Sequence, residues 1–277
     1  MTVQATIERE TRGRAAGLTF VRRPAPSASC PLVLLHGIGS NAASFGPLMA
    51  ALPMSFDVVA WNAPGYETSQ PLSQVSPSPR DYAAALAHFL DALGLTRVVL
   101  CGHSLGALFA ASFTAFYPGR VAALALFSPA LGYRVAPGAA LPPAVQARIE
   151  EVQSGDLDGF AAKRAVRLVH APERKTDVVA AVEKAMRAVN PGGYIQAVRA
   201  LGAGDLLADA KGITVPALVA VGAQDLVMPP TNARAVYQTL ARGTRFHEVA
   251  DCGHALPQEN PAAAAALLSE VMEHADG

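Results

Sequence analysis

The sequence predicts an α/β fold with a mainly parallel sheet, and three observations support this prediction. Short apolar runs bounded by glycine or proline alternate with longer alanine-rich stretches of helical period, as in βαβ units. The apolar runs are continuous rather than alternating in polarity, which is typical of strands covered by helices on both faces. A length of 277 residues is enough for one sizeable α/β domain with an inserted lobe.

Strand-like runs and helical stretches follow one another along most of the chain. The strand-like runs lie at residues 18–21, 31–36, 56–61, 97–101, 121–127, 216–221 and 245–250. The helical stretches lie at residues 42–52, 79–93, 105–117, 230–241 and 261–274. Their alternation predicts parallel strands that are joined by helical crossovers.

The interval from residue 132 to residue 211 interrupts this alternation. It contains amphipathic segments separated by proline and glycine, at residues 143–153, 158–169, 177–189 and 194–201. A long crossover is the plainer interpretation, but about 80 residues far exceed the usual βαβ connection of about a dozen. We therefore predict a core formed by residues 1–131 and 212–277, with a helical cap at residues 132–211 inserted into it.

Composition and charge argue against several classes of partner. The chain has 22 Lys plus Arg, 22 Asp plus Glu and no basic stripe, so nothing favours a nucleic acid or an anionic membrane surface. No apolar run reaches the length of a membrane span, and the polar N-terminus lacks the apolar region of a signal peptide. The three cysteines form no C-x-x-C pair, which suits a reducing compartment. These features predict a soluble, cytoplasmic protein.

The strongest chemical signal is the pentapeptide GHSLG at residues 102–106, a G-x-S-x-G motif. It directly follows a strand-like run and directly precedes a helical stretch, which is the context of a nucleophile elbow. Such a turn exposes its serine above the carboxyl edge of the sheet, and Gly102 and Gly106 let strand and helix approach closely. A plain strand-to-helix turn is the alternative, but the context favours Ser104 as a catalytic nucleophile.

A serine nucleophile needs a base and a group that orients the base, here expected in the chain order serine, acid, histidine. Asp225 closes the strand-like run that begins at residue 216, and His254 follows the last strand-like run. Both would lie at the same sheet edge as Ser104. Asp225 could instead be a turn or N-cap carboxylate. We predict a triad of Ser104, Asp225 and His254, because the other histidines are less well placed.

Acyl transfer also needs two preorganised donors for the oxyanion. The turn HGIGSN follows the second strand-like run, and its Ile38 amide is predicted to form the oxyanion hole together with the Leu105 amide. His36 is interpreted as a loop-bracing residue and His103 as a packed neighbour of the elbow. The turn WNAPGY at residues 61–66 is interpreted as structural.

Taken together, these segments resemble the cap-bearing α/β-hydrolase superfamily over nearly the whole chain. The matching pieces are LLHGIGSN (34–41), WNAPGYETS (61–69), VLCGHSLGA (99–107), VGAQDLVMPP (221–230) and DCGHALPQENP (251–261). The chain is most similar in style to 3-oxoadipate enol-lactonases, meta-cleavage-product hydrolases and small esterases. The resemblance implies the α/β-hydrolase fold, with a mainly parallel eight-stranded sheet, helices on both faces and a helical cap after the sixth strand. It implies the same triad and the same oxyanion donors.

Four positions bear on which members of the superfamily the chain resembles. Asn62 and Glu67 stand where members usually carry Asp and Gly, both outside the triad. Ala255 stands where carbon–carbon hydrolases of the meta-cleavage type generally carry Trp, which disfavours that substrate class. Ser104 excludes the epoxide and haloalkane hydrolases of this fold, because they use Asp as the nucleophile.

We expect a serine hydrolase that cleaves a small, neutral carboxylic ester or lactone and needs neither a metal nor an organic cofactor. Its partner would be a small-molecule substrate. Three alternatives stay open: a carbon–carbon hydrolase, a cofactor-free perhydrolase or oxygenase on the same fold, and a non-catalytic receptor that retains the triad.

The substrate pocket is expected between the sheet edge and the cap, with mainly apolar walls. Its candidate lining residues, each of which could also be ordinary core, are Phe45, Phe160, Tyr194, Met228 and Leu256. Three cap arginines could clamp an acidic substrate if they point inwards, namely Arg164, Arg167 and Arg199.

Overall fold

An eight-stranded sheet runs through the centre of the protein, whose computed structural model describes residues 10–26, 28–136 and 138–274. The strands are β1 (Thr11–Ala15), β2 (Leu18–Arg23), β3 (Leu32–Leu35), β4 (Val58–Trp61), β5 (Val98–His103), β6 (Val121–Phe127), β7 (Ala217–Gly222) and β8 (Arg245–Val249). They lie in the order β1-β2-β4-β3-β5-β6-β7-β8. β1 pairs antiparallel with β2 and β2 with β4, and all other pairings are parallel. The predicted mainly parallel sheet is confirmed.

The α-helices of the described residues either cover the sheet or form an insertion between β6 and β7. They are α1 (Gly46–Ala51), α2 (Pro79–Ala92), α3 (Leu105–Phe116), α4 (Pro143–Gln153), α5 (Leu157–Leu168), α6 (Thr176–Arg187), α7 (Pro191–Ala203), α8 (Leu206–Ala210), α9 (Pro230–Thr239), α10 (Leu256–Glu259) and α11 (Pro261–Met272). α2, α3 and α9 bury apolar side chains on one face of the sheet, and α1 and α11 do so on the other. The predicted covering of both faces is confirmed.

Within the described ranges, none of these helices combines the length and the apolarity that crossing a bilayer requires.

The N-terminal part of the sheet differs from the sequence-based expectation in two places. β1 was not predicted, because its residues TRGRA are polar and largely exposed at the sheet edge. The stretch predicted as one helix at 42–52 is a 3-10 turn over Ala42–Phe45 followed by α1. Pro47 lies in the first turn of α1, where its missing N–H is tolerated, whereas inside a continuous helix it would remove a hydrogen bond.

Helices α4 to α8 occupy the interval that the sequence predicts to be a cap. α4 packs on α7 and α5 packs on α6, whereas α8 packs on α3 and α9 beside the sheet. We therefore use "cap" for α4 to α7 and the segments between them. The predicted domain boundaries at residues 132 and 211 stay a prediction.

The cap contacts the core through the backbone at the start of α7. A Cβ atom on Gly193 would lie 2.0 Å from the carbonyl oxygen of Gly65, in the turn after β4. The two backbones can meet because neither residue carries a side chain, and Gly65 also has a φ of 81° that glycine adopts readily. This contact seats the N-terminal end of α7 beyond the carboxyl end of β4.

Candidate active site

Ser104 occupies a sharp turn between β5 and α3. Its backbone has φ 55° and ψ −116°, outside the regions that residues other than glycine usually adopt. A Cβ atom on Gly102 would lie 2.3 Å from the Gly106 carbonyl oxygen, and one on Gly106 would lie 2.1 Å from the Leu35 carbonyl oxygen. Only glycine fits at these two positions, and the tight turn holds Ser104 at the carboxyl edge of the sheet.

The three side chains that the sequence predicts as a triad meet at this edge. His254 Nε2 lies 3.0 Å from Ser104 Oγ, and His254 Nδ1 lies 2.8 Å from Asp225 Oδ2. Asp225 follows β7 and His254 follows β8, so adjacent parallel strands deliver them to the same place. All three residues are buried, at 8 % exposure or less, which shields their hydrogen bonds from water.

The carboxylate of Asp225 is oriented from both sides. Its Oδ1 accepts the amide hydrogens of Val227 and Met228, each at 2.8 Å, while Oδ2 faces the ring of His254. Burial acts to raise the pKa of Asp225, but the charge of His254 and these hydrogen bonds outweigh burial and lower the pKa. An ionised Asp225 accepts the Nδ1–H of His254, which leaves Nε2 free to accept the Ser104 hydroxyl hydrogen.

Two backbone amides beside Ser104 are available for an oxyanion. Leu105 is the first residue of α3, so its N–H has no acceptor within the helix. Among the described residues, the Ile38 amide has no backbone or side-chain acceptor either. The loop of Ile38 approaches the elbow closely, since a Cβ atom on Gly37 would lie 3.1 Å from Ser104 Cβ. Ile38, Leu105 and Ser104 all line one cavity.

His36 and Tyr66 brace the loop that carries Ile38. His36 Nε2 accepts the amide hydrogen of Ala63 at 3.1 Å, so Nδ1–H donates to the Gly37 carbonyl at 2.8 Å. Because the peptide between Gly37 and Ile38 is planar and trans, holding this carbonyl also directs the Ile38 N–H to the opposite side. Tyr66 Oη donates to the Ile38 carbonyl at 2.6 Å. The WNAPGY turn, read from sequence as structural, therefore supports a candidate oxyanion donor.

The two histidines beside the triad, buried His36 and partly buried His103, are held in their neutral form. Burial lowers the pKa of His36 to about 4. Burial and the nearby charge of His254 lower the pKa of His103 to about 3. His103 Nε2 lies 2.7 Å from the His254 carbonyl oxygen and donates to it, so this ring supports the backbone of the candidate base.

Glu259, the last residue of α10, ties the loop of the candidate base to the cap. Its side chain is completely buried. Oε1 accepts the amide hydrogens of Gly253 at 3.0 Å and Ala255 at 3.2 Å, one on each side of the histidine. Oε2 accepts from the amide of His170 at 2.9 Å and from Lys175 Nζ at 3.1 Å, both between α5 and α6. One carboxylate thus joins two segments that are far apart in sequence.

A second link between cap and candidate base is formed by backbone atoms alone. The amides of His254 and Ala255 both donate to the carbonyl oxygen of Leu168, at 2.8 Å and 3.0 Å. Leu168 is the last residue of α5. The end of a cap helix therefore supplies the acceptor for the backbone amide of the candidate catalytic histidine.

A cavity of about 120 Å³ lies between the sheet edge and the cap. Ser104 and His254 form part of its floor, and apolar side chains of α6, such as Val182 and Met186, form part of its wall. Tyr194 and Met228, two of the residues that the sequence analysis proposed for the substrate pocket, also line this cavity.

Three other predicted pocket residues need correction, because Phe45, Phe160 and Leu256 do not line this cavity. Phe45 and Leu256 pack in the hydrophobic cluster on the opposite face of the sheet. Phe160 lies behind the wall, with its ring edge-on to Tyr194 at a centroid separation of 5.3 Å. Closeness to a motif in sequence does not show to which side of the sheet a side chain points.

Three arginines of the cap line the cavity, namely Arg148, Arg164 and Arg167. Arg199 does not, since it donates to the Val75 carbonyl at 2.6 Å outside the cavity.

Arg148 was missed from the sequence, although a signal was present. It lies on α4 three residues after Val145 and four before Val152, both buried, and therefore on the apolar face of that helix. The guanidinium group of an arginine on such a face needs polar partners or water, so its position predicts a polar site under that helix.

Comparisons with known proteins identify the family of this fold. Residues 31–261 match the family described as alpha/beta hydrolase fold. The chain is 27% identical to a pimeloyl-(acyl-carrier protein) methyl ester esterase of Neisseria meningitidis, over 91% of this chain and 97% of that protein. It is 28% identical to the (E)-2-((N-methylformamido)methylene)succinate hydrolase of Acinetobacter baylyi, over 70% of this chain and 72% of that protein.

A solved structure shares the fold of this chain. The enol-lactonase from Burkholderia xenovorans superimposes with a TM-score of 0.83 at 24% identity, over 95% of this chain and all of that one. The resemblance stated from the sequence motifs is confirmed, and the chain belongs to the alpha/beta hydrolase fold family.

Proposed function

We propose that the protein is a serine hydrolase that cleaves a small carboxylic ester or lactone through an acyl-enzyme. The observation that carries the proposal is the hydrogen-bonded series from Ser104 through His254 to Asp225, which opens onto the cavity under the cap. A serine hydroxyl needs such a base and orienting acid to act as a nucleophile. The relatives named above include an esterase, a hydrolase and an enol-lactonase, which supports this reaction class.

Acylation begins with attack of Ser104 Oγ on the substrate carbonyl. His254 Nε2 takes the hydroxyl proton, and ionised Asp225 stabilises the imidazolium and holds its tautomer. The carbonyl oxygen becomes an oxyanion between the amides of Ile38 and Leu105. Loss of one such donor typically costs about 3 kcal/mol in the barrier, or about 100-fold in kcat. The oxyanion then collapses, and the imidazolium protonates the leaving alkoxide oxygen, or the ring oxygen of a lactone, as its bond to the acyl carbon breaks.

Deacylation repeats these steps with water as the nucleophile. His254 Nε2 takes a proton from water as the water oxygen attacks the acyl carbon. A second oxyanion forms in the same place and collapses, which returns the proton to Ser104 Oγ and releases the acid. Every proton transfer is carried out by residues of this chain, so the cycle requires neither a metal nor an organic cofactor.

The test is turnover of a panel of p-nitrophenyl esters and simple lactones by the wild type and by Ser104→Ala. We expect Ser104→Ala to lose multiple-turnover hydrolysis while its thermal unfolding stays close to that of the wild type. Ser73→Ala is the matched control, because Ser73 is exposed and distant in sequence from the triad, and among the described residues its hydroxyl bonds to Gln74 alone, at 3.3 Å.

Full activity of Ser104→Ala would overturn the proposal. Rejection of every ester and lactone by the wild type, with hydrolysis of a ring-fission dienoate, would assign a carbon–carbon hydrolase instead. Oxygen- or peroxide-dependent turnover alone would indicate the oxygenase or perhydrolase alternative. Binding without multiple turnover of any of these compounds would indicate a receptor.

A further inference from the structure

The part of the cavity lining that α4 and α5 contribute, called the roof below, carries more positive charge than a site for a neutral substrate needs. Arg148 lies on α4, and Arg164 and Arg167 lie on α5, and all three line the cavity that Ser104 opens onto. Arg148 and Arg164 are half-buried, whereas Arg167 is exposed at the rim. Burying a guanidinium removes water from a charged group, which is unfavourable unless an anion or hydrogen-bond acceptors replace that water.

Among the described residues, Arg164 alone of these three arginines is paired with a carboxylate. The guanidinium of Arg164 forms an ion pair with Glu151, which also bonds to Lys163. Within the described ranges, no carboxylate lies within ion-pair distance, 4.0 Å, of Arg148 or Arg167. The arginine group of the roof therefore retains a net positive charge that faces the cavity.

Tyr194 shows that two of these charges act at the same point of the wall. Its hydroxyl is buried, and burial raises its pKa, while the charges of Arg164 and Arg148 oppose that rise. Arg148 also forms a side-chain hydrogen bond with Tyr194, and Arg148, Arg164 and Tyr194 all line the cavity. A phenol and guanidinium groups together offer several N–H and O–H donors in one corner of an otherwise largely apolar cavity.

We propose that the substrate carries a carboxylate remote from the scissile ester, and that Arg148 and Arg167 bind this carboxylate under the cap. The inference rests on the proposed ester or lactone hydrolysis. Arginine suits this role because its planar N–H fork matches the two oxygens of a carboxylate. The roof binds one end of the substrate while Ser104 attacks the other, so the apolar wall between them contacts the connecting carbon chain. This replaces the neutral ester expected from the sequence.

The proposal predicts discrimination between substrates of the same length that differ only in a terminal carboxylate. One pair is monomethyl adipate and methyl hexanoate, which places the carboxylate on the acyl side. The other pair is ω-acetoxyvalerate and pentyl acetate, which places it on the alcohol side. We expect the wild type to hydrolyse the charged member of at least one pair with a kcat/KM about ten-fold or more higher. This preference should shrink at high salt.

The matching variants are Arg148→Gln alone and combined with Arg167→Gln. We expect each step to raise KM for the charged ester, by about ten-fold in the double variant, and to change KM for the neutral ester by a clearly smaller factor. Arg199→Gln is the control, because it removes the same charge from the cap outside the cavity. Thermal unfolding of each variant checks that the cap remains folded.

Direct binding separates failure of this proposal from failure of the proposed function. Calorimetric titration of Ser104→Ala with monomethyl adipate and methyl hexanoate measures recognition without turnover. Hydrolysis of neutral esters with no preference in either pair would overturn the carboxylate site and leave the hydrolase intact. Tight, arginine-dependent binding of the charged ester without turnover by the wild type would keep the site and overturn the hydrolase. An unchanged preference in the double variant would also overturn the assignment of these arginines.

Discussion

At the scale of single residues, two histidine rings shape the surroundings of the candidate triad without taking part in proton transfer. His36 holds the Gly37 carbonyl and His103 holds the His254 carbonyl, each through one ring nitrogen. Both rings are neutral, because burial lowers the pKa of His36 to about 4 and that of His103 to about 3. Folding therefore withholds these two imidazoles from protonation.

This burial makes the free energy of unfolding depend on pH in a defined direction. In the unfolded chain a histidine takes up a proton near pH 6.5, whereas in the folded protein these two do not until pH falls to about 4 and about 3. The unfolded state thus binds more protons below pH 6.5. The contribution of these two histidines to the free energy of unfolding has its full value above that pH. It falls as pH decreases, by about 1.4 kcal/mol per pH unit for each histidine.

Denaturant unfolding between pH 7.5 and pH 5 is the measurement. We expect His36→Gln to reduce the slope of unfolding free energy against pH by about half of the contribution that the two histidines make together. His88→Gln is the control, since His88 is exposed on α2. Identical slopes in the wild type and His36→Gln would contradict the prediction.

At the scale of elements, the sequence predicted those helices and strands whose own residues show the full hydrophobic pattern of a buried strand or an amphipathic helix. The predictions at 121–127 and 143–153 coincide with β6 and α4. β1 was not predicted from the sequence, because an exposed edge strand has no apolar pattern. α10 was not predicted either, because a helix of one turn is too short to show a hydrophobic period. The sequence predicted that Ser104, Asp225 and His254 meet, because the carboxyl ends of parallel strands lie at the same edge of a sheet; their catalytic roles stay a prediction. Glu259 could not be found, because its partners come from a cap segment whose position depends on tertiary packing.

Glu259 is the element-scale feature with the clearest functional consequence. The carboxylate of Glu259 accepts hydrogen bonds from backbone N–H groups on both of its oxygens. In Glu259→Gln, one oxygen is replaced by an NH₂ group, which cannot accept these hydrogen bonds, and Lys175 loses its ion-pair partner. We expect kcat to fall by about ten-fold or more with a smaller change in KM, because small displacements of a catalytic group have effects of that size. Loss of a buried pair should lower the free energy of unfolding by about 3 kcal/mol.

The control for this prediction is Glu270→Gln. Glu270 bonds to Arg245 at 2.8 Å, and its side chain is 36% exposed. The free energy of unfolding of Glu270→Gln should therefore lie within about 1 kcal/mol of that of the wild type, and kcat should not change. Steady-state kinetics and denaturant unfolding are measured on the same preparations. A normal kcat in Glu259→Gln, with lowered stability only, would show that Glu259 supports the fold and does not position His254.

At the scale of the whole molecule, the cap and the sheet are held together where α7 meets the turn after β4. The contact between Gly193 and Gly65 leaves no room for a Cβ atom, and Tyr194 of the cavity wall is the next residue along α7. The position of the cavity wall therefore depends on the distance between cap and core at this point.

Gly193→Ala tests this dependence. The added methyl group would have to push α7 away from the core, and such overpacking costs about 1–3 kcal/mol. We expect a lower thermal unfolding midpoint and a raised KM for the best ester, measured by calorimetry and steady-state kinetics. Gly192→Ala is the matched control, because within the part of the chain that the structure describes a Cβ atom there has one neighbour within 4 Å, Asn190 Oδ1 at 3.3 Å. Equal KM and midpoint in the two variants would contradict the prediction.

The acceptor that Leu168 provides for the His254 and Ala255 amides has a consequence for the exchange of modules between relatives. Consider a chimera that takes its cap from one parent and the loop of His254 from another. In it, the carbonyl group at the end of α5 and the two loop amides that donate to it come from different proteins. Recombination breakpoints on either side of the cap would then leave the loop without its support even when the triad is intact. Engineering of substrate range should keep the end of α5 with its own loop, and should vary α4, α6 and α7 instead.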